Sequence, residues 1–198
     1  MLTKSEFNST ITYIIFLGVV MNQFLIFIIG LPCSGKTSIA KQLAQRFNLL
    51  HLSTEQIRAN ILNVEKVEED CDFTIEQQIS VYETIFNQVK ENLSKGKSII
   101  VEGVFRSLEQ RKAVIDTSLM YLDKDKIYCY NIICDESVAV KRLIERKNKG
   151  TVAPAGVNTY FKIKNQYEKV DTVIFKTIDN TENLENSYLE IVKDIERN

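Results

Sequence analysis

Residues 24–40 read FLIFIIGLPCSGKTSIA: an apolar run rich in β-branched and aromatic side chains, a glycine-bounded turn, then the start of a helical pattern. Within it, Gly30-Leu31-Pro32-Cys33-Ser34-Gly35-Lys36-Thr37 fits G-x-x-x-x-G-K-[S/T] without a mismatch. A bare string of this kind arises by chance, but a strand directly before it and a helix directly after it give it a mechanism. A phosphate chain needs many donors in a small volume. A glycine-rich turn supplies backbone N–H groups that side chains cannot crowd, and the following helix adds the positive end of its dipole. Residues Gly30 through Ser38 are therefore expected to hold a nucleotide such as ATP, with Lys36 reaching the β- and γ-phosphates and the Thr37 hydroxyl ligating Mg²⁺. The plain alternative is an ordinary glycine turn between strand and helix.

Upstream, Ile11 to Leu31 is interrupted only by Thr12, Asn22 and Gln23, and would register as a membrane span in a hydropathy window. The phosphate loop argues otherwise, because a strand whose last residue leads into Gly30 belongs in a sheet and cannot also lie in lipid. The remaining stretch, Ile11 to Val20, would extend ~15 Å as a helix, half the hydrocarbon thickness. Lys4 is offset by Glu6 and no small-residue cleavage site follows, a poor signal peptide. Residues 1–20 are thus expected to be an extension outside a domain spanning 21–198. It is either sequence upstream of a start at Met21 or a hydrophobic segment docked on the domain or a partner. A chain beginning at Met21 is expected to fold and bind ATP.

The chain has 198 residues, 44% hydrophobic and 26% charged, with seven glycines and two prolines, which suits one globular domain. A formal net charge of -1 gives the protein as a whole no attraction to nucleic acid or to an anionic membrane. Cys33, Cys71, Cys129 and Cys134 form no C-x-x-C pair and have one histidine to join them, so zinc is a poor reading and free thiols suit a reducing cytoplasm. Apolar runs at 24–30, 48–53, 98–103, 126–134 and 172–178 alternate with helical patterns. Among these is a long helix from about Thr74 to Ser94, carrying Ile75, Ile79, Tyr82, Ile85, Phe86, Val89 and Leu93 at helical spacing. The expected fold is α/β: a five-stranded, mostly parallel sheet with helices on both faces.

The segments GLPCSGKTSIAKQLA, HLSTEQIRANI, VYETIFNQVKENLSKGKSIIVEGVF and CDESVAVKRLIERKNKG resemble, in combination and spacing, the small P-loop kinases that include polynucleotide 5'-hydroxyl kinase and zeta-toxin-type kinases. The resemblance runs from about Phe24 to the C-terminus and implies a P-loop fold with a helical lid. In that family an Asp-x-x-Arg pattern after the second strand supplies the general base and the acceptor grip. The matching positions here are Glu55 and Arg58, with the base arm one methylene longer. The competing reading makes Glu55 a first-turn residue behind a Ser53 or Thr54 cap. Glu102 in IIVEGVF matches an acidic residue beside metal or acceptor, and at the end of a buried strand it needs a partner such as Lys36, Arg58 or a Mg²⁺ water. Val104 stands where relatives often carry a polar residue. Arg106 and Arg111 fall in a region that contacts the acceptor in relatives.

From Lys141 to Lys169 the chain has eight lysines and arginines against two glutamates. This segment resembles the family's lid, in which arginines close over donor phosphates; Arg142 and Arg146, at i and i+4, share a helix face. A solvated basic face is the alternative. His51 reads as a packing or surface residue, and Phe73, Tyr82 and Phe86 as core. Cys33 is set aside with them, although its place near a helix N-terminus offers a thiol whose oxidation or alkylation could switch nucleotide binding. The resulting expectation is a Mg²⁺- and ATP-dependent kinase. Lys36, Glu55, Arg58 and Arg146 are catalytic, Glu102 is an alternative base, and the acceptor is a hydroxyl of a small molecule or a nucleic acid end. The rival readings are a catalytically silent nucleotide-binding regulator and a plain NTPase.

Overall fold

The structure is a computed structural model that describes residues 23–62, 74–148 and 156–197. The expected extension at 1–20, Cys71, Phe73 and most of the loop at 151–156 lie outside the described residues. Five strands form one sheet: β1 (Leu25–Ile29), β2 (Leu50–Ser53), β3 (Ile99–Gly103), β4 (Ile127–Ile133) and β5 (Lys176–Asp179), in the order β2-β3-β1-β4-β5. Every pairing is parallel, with Ile28 opposite both Glu102 and Tyr130, and Ser53 opposite Glu102. The helices between them are α1 (Lys36–Phe47), α2 (Thr54–Leu62), α3 (Ile75–Ser94), α4 (Leu108–Ser118), α5 (Glu136–Asn148), α6 (Val157–Asn165) and α7 (Leu184–Arg197).

The unbroken apolar character of β1 follows from its central place, since helices cover both faces of a parallel sheet. Leu25, Phe27 and Ile29 face Val81, Ile85 and Val89 of α3 and Val114 of α4. Ile26 and Ile28 face Ile39, Ala40 and Leu43 of α1 and Ile191, Val192 and Ile195 of α7. All five β1 side chains are fully buried, each contributing about 1.5–3 kcal/mol of transfer free energy. The burial fixes the direction in which β1 delivers Gly30.

Two details differ from the sequence reading. The fifth strand was expected at 172–178 but begins at Lys176, because Asp171 folds the chain into a turn: its carboxylate accepts from Val173 N at 2.8 Å and its carbonyl from Phe175 N at 2.9 Å. Val173 is left 90% exposed. In α3 the start is as read, with Thr74 and Gln77 forming a reciprocal capping box. Ile75 and Ile79, counted in the apolar repeat, are nevertheless exposed, so the buried stripe begins at Val81. Tyr82 and Phe86 pack on the core as expected.

Candidate active site

All five strands run the same way, so their carboxyl ends meet along one edge, where ligands bind in open α/β sheets. The loop after β1 lies across that edge. Gly30 has φ 147°, and a Cβ there would stand 2.2 Å from Ile132 O at the end of β4; Gly35 has φ 99°, and a Cβ would stand 2.0 Å from the Asn180 amide nitrogen beyond β5. Both positions require glycine. Cys33 also adopts the left-handed region, at φ 59°. Leu31 and Cys33 pack on Ala139 and Leu143 of α5 and Tyr160 of α6, so the region read as a lid is joined to the loop.

Lys36 and Thr37 open α1 at its positive end. Lys36 is 7% exposed, and its ammonium donates to Leu31 O at 2.7 Å. Burial pulls its pKa down, while Glu102 and Glu55 oppose that pull. Beneath it, Glu102 is 2% exposed at the end of β3 and gathers donors on one oxygen: Ser53 Oγ at 2.6 Å and Thr37 Oγ1 at 3.1 Å. His51 Nε2 stands 3.7 Å from the same oxygen and is buried without a hydrogen-bond partner. Burial pushes the Glu102 carboxyl up, but the imidazole beside it, the Lys36 ammonium and the Ser53 hydroxyl outweigh burial and hold it below its ordinary value. Glu102 is therefore ionised at neutral pH, held in the field of the expected Lys36 and hydrogen-bonded by hydroxyls that were not expected.

Glu55 sits in the first turn of α2, one oxygen 3.6 Å from an amino nitrogen of Arg146. Burial raises its pKa, with Arg146 opposing and Glu102 adding to the rise. Ser53 Oγ accepts from Gln56 N at 3.4 Å, so it caps α2 as well as serving Glu102. The other Arg146 amino nitrogen lies 3.5 Å from Cys33 Sγ, so this side chain bridges the phosphate loop and the candidate base. Arg58 is half-buried, and its charge acts on the Glu55 carboxyl and the Tyr82 hydroxyl.

Arg106 bridges Gln78 of α3 and Gln166 just past α6, both at 2.9 Å, and its charge too acts on Tyr82. Arg111 corrects the sequence reading. It was expected among the acceptor contacts but is 1% exposed, and its guanidinium donates to the carbonyls of Ser107, Arg106, Glu168 and Lys169 at 2.9–3.2 Å. The fork of donors ties the start of α4 to the chain beyond α6. Arg111→Leu leaves these carbonyls without the donors they have and should cost about 3–5 kcal/mol. The expected result is a thermal midpoint lowered by roughly 6–20 °C with nucleotide and acceptor affinity of the folded protein unchanged. A loss of acceptor affinity at an unchanged midpoint would restore Arg111 to the acceptor site.

Two residues of this edge were not foreseen. His51 was set aside as packing, although a histidine two residues before a strand end shares a face with Ser53, and so with Glu102 across the ladder. Asn180 was not singled out at all. It lies just past β5, donates its amide to Ser34 O at 2.8 Å, and is 1% exposed. A polar residue directly after a parallel strand was the available signal.

A buried lysine and a strand-end carboxylate in each other's field at a glycine loop, with arginines beside it, define a kinase-like P-loop nucleotide-binding domain. The sequence pattern of a family described as AAA domain matches residues 25–168, and the chain belongs to that family. It is similar to the adenylate kinase of Borrelia turicatae, 33% identical over 124 residues that make up 60% of this chain and 56% of that enzyme. The adenylate kinase of Flavobacterium psychrophilum is 30% identical over 73% of this chain and 77% of its own length. The chain thus spans little more than half of the Borrelia enzyme. A sugar kinase from Janibacter sp. has the same fold, with TM-score 0.67 over 88% of this chain and 95% of that one, at 13% identity.

Proposed function

We propose that the protein is an ATP- and Mg²⁺-dependent phosphotransferase that moves the γ-phosphoryl group to a hydroxyl of a small molecule or of a nucleic acid end. The observation that carries the reading is the pairing of Glu55 with Arg146 at the mouth of the Lys36–Glu102 cluster. A carboxylate with a raised pKa beside the transfer site serves a hydroxyl acceptor, which must lose a proton. A phosphate acceptor has no such need. The resemblance to polynucleotide 5'-hydroxyl kinase and the fold shared with a sugar kinase agree with this choice.

In this reading the loop from Gly30 to Ser38 binds the donor, and Lys36 exchanges its Leu31 carbonyl for phosphate oxygens. Arg146 lies over the transferred group and offsets its charge. Glu55 takes the acceptor proton at a side-chain oxygen, and Arg58 with Arg106 positions the acceptor. Thr37 Oγ1 and Glu102 Oε1, both oxygen and 3.1 Å apart, fit a hard divalent cation. Among the described residues no group of three or more His, Cys, Asp or Glu side chains could hold a metal alone, which suits an ion that shares its shell with nucleotide phosphates. Bound there, Mg²⁺ would neutralise charge on the phosphate oxygens. Scattered cysteines without a C-x-x-C pair support a cytoplasmic location, and no helix among the described residues is long and apolar enough to cross a membrane.

A second reading, transfer to the phosphate of a nucleoside monophosphate, is favoured by the names of the Borrelia and Flavobacterium relatives. Mass analysis of products from AMP, nucleosides, polyols and a 5'-hydroxyl oligonucleotide separates the two. The hydroxyl reading predicts a phosphate ester from an acceptor that carries no phosphate. ADP formed from AMP as the sole product would replace it.

A further inference from the structure

We propose that Asn180 is a positioning residue for the phosphate loop, fixing the Ser34–Gly35 peptide from beneath and enlisting Arg142 in the same task. The inference rests on the loop being a nucleotide site. Each polar group of Asn180 is engaged. Its N–H donates to Ile133 O at 2.8 Å, continuing the line of β4. Its side-chain amide donates to Ser34 O at 2.8 Å, a carbonyl that only accepts and so sets the nitrogen on the loop side, while its side-chain oxygen faces Ser187 Oγ of α7 at 3.3 Å, a hydroxyl shared with Asp179 O at 2.9 Å and Asn183 O at 3.2 Å. Its carbonyl accepts from Arg142 at 3.0 Å, and the other amino nitrogen of Arg142 donates to Cys33 O at 3.3 Å.

Two consecutive loop carbonyls, those of Cys33 and Ser34, are thus held by donors from β5 and α5. In a planar trans peptide the N–H points opposite to the carbonyl. Holding Ser34 O toward Asn180 therefore turns the Gly35 N–H to the opposite side, available to a phosphate oxygen. The fit is close enough to constrain the sequence: the Asn180 amide nitrogen lies 2.0 Å from where a Gly35 Cβ would be. Arg142, expected from sequence to grip phosphate, has both amino nitrogens on backbone carbonyls and acts as a brace, whereas Arg146, one turn on, reaches Cys33 Sγ and Glu55. Asn180 itself touches no substrate, and works through the loop.

The test compares Asn180→Ala and Asn180→Asp with wild type in affinity for Mg²⁺-ATP and for magnesium tripolyphosphate, a probe with phosphates and no base. Removing a donor from a buried carbonyl should weaken both ligands about tenfold or more, in the same ratio. The neutral and the charged replacements should fall together; the isosteric Asn180→Asp stands in if the alanine variant does not fold. Wild-type affinity for tripolyphosphate in a folded variant, whatever the change in thermal midpoint, overturns the proposal. So does a loss confined to ATP, which would place Asn180 at the base. Wild type that binds neither ligand defeats the nucleotide-site reading itself, and the proposal with it.

Discussion

Lys36→Ala is expected to lower phosphoryl transfer by about 10³-fold, the scale of losing a preorganised charge at the transferred group. The ammonium is held ready at the loop by Leu31 O and lies within the field of two carboxylates, so little reorganisation separates its resting contact from a phosphate oxygen. The variant also removes one of the groups that hold Glu102 below its ordinary pKa. A depressed carboxyl contributes stability above its unfolded pKa and loses it as pH falls through the folded value, so wild type should lose more stability than the variant between neutral and acid pH; at neutral pH the lost support of Glu102 is opposed by relief of a buried ammonium whose own pKa burial pulls down. Single-turnover transfer from labelled ATP and thermal melts between neutral and acid pH measure both effects. Transfer within tenfold of wild type would remove Lys36 from the chemistry.

Glu55→Gln keeps the side-chain shape and deletes the base, and is expected to reduce transfer to a hydroxyl by roughly 10²- to 10⁴-fold while leaving ATP affinity near wild type. The pH profile supplies the sign. Burial raises the Glu55 pKa, and only the ionised form accepts a proton, so wild-type kcat should climb with pH through a value above the ordinary 4.5. That acidic limb should vanish in Glu55→Gln. If Glu55 only caps α2, the variant should lose stability instead, with kcat and its pH dependence unchanged.

The alternation of strands and helices was legible because β1 is apolar on both faces and leads into an eight-residue motif with one mechanical meaning. The helix directly after the motif followed from it, and the place of Glu102 at a strand end from the apolar run before it; the contact of Glu55 with Arg146 is visible only in the fold. The misses have physical causes. Arg111 looks from sequence like any other arginine near an acceptor loop, and only the fold shows four backbone carbonyls converging on its guanidinium. Arg142 and Arg146 share a helix face, yet one turn of helix, about 5.4 Å of rise, separates a brace from a reach into the site. His51 and Asn180 gain their neighbours from β2 pairing with β3 and from β5 ending beside the phosphate loop, relations that span the whole chain and leave only a polar residue at a strand end as their local sign.

The central claim is that this edge of the sheet transfers a phosphoryl group and does not merely bind or hydrolyse ATP. Following the γ-phosphate by ³¹P NMR, with Mg²⁺-ATP and a mixed panel of hydroxyl acceptors, tests it most directly. The account predicts a new phosphate ester resonance growing as ATP declines, absent in Lys36→Ala and strongly slowed in Glu55→Gln. ATP that is bound but unchanged, or converted only to ADP and inorganic phosphate across the panel, would contradict it.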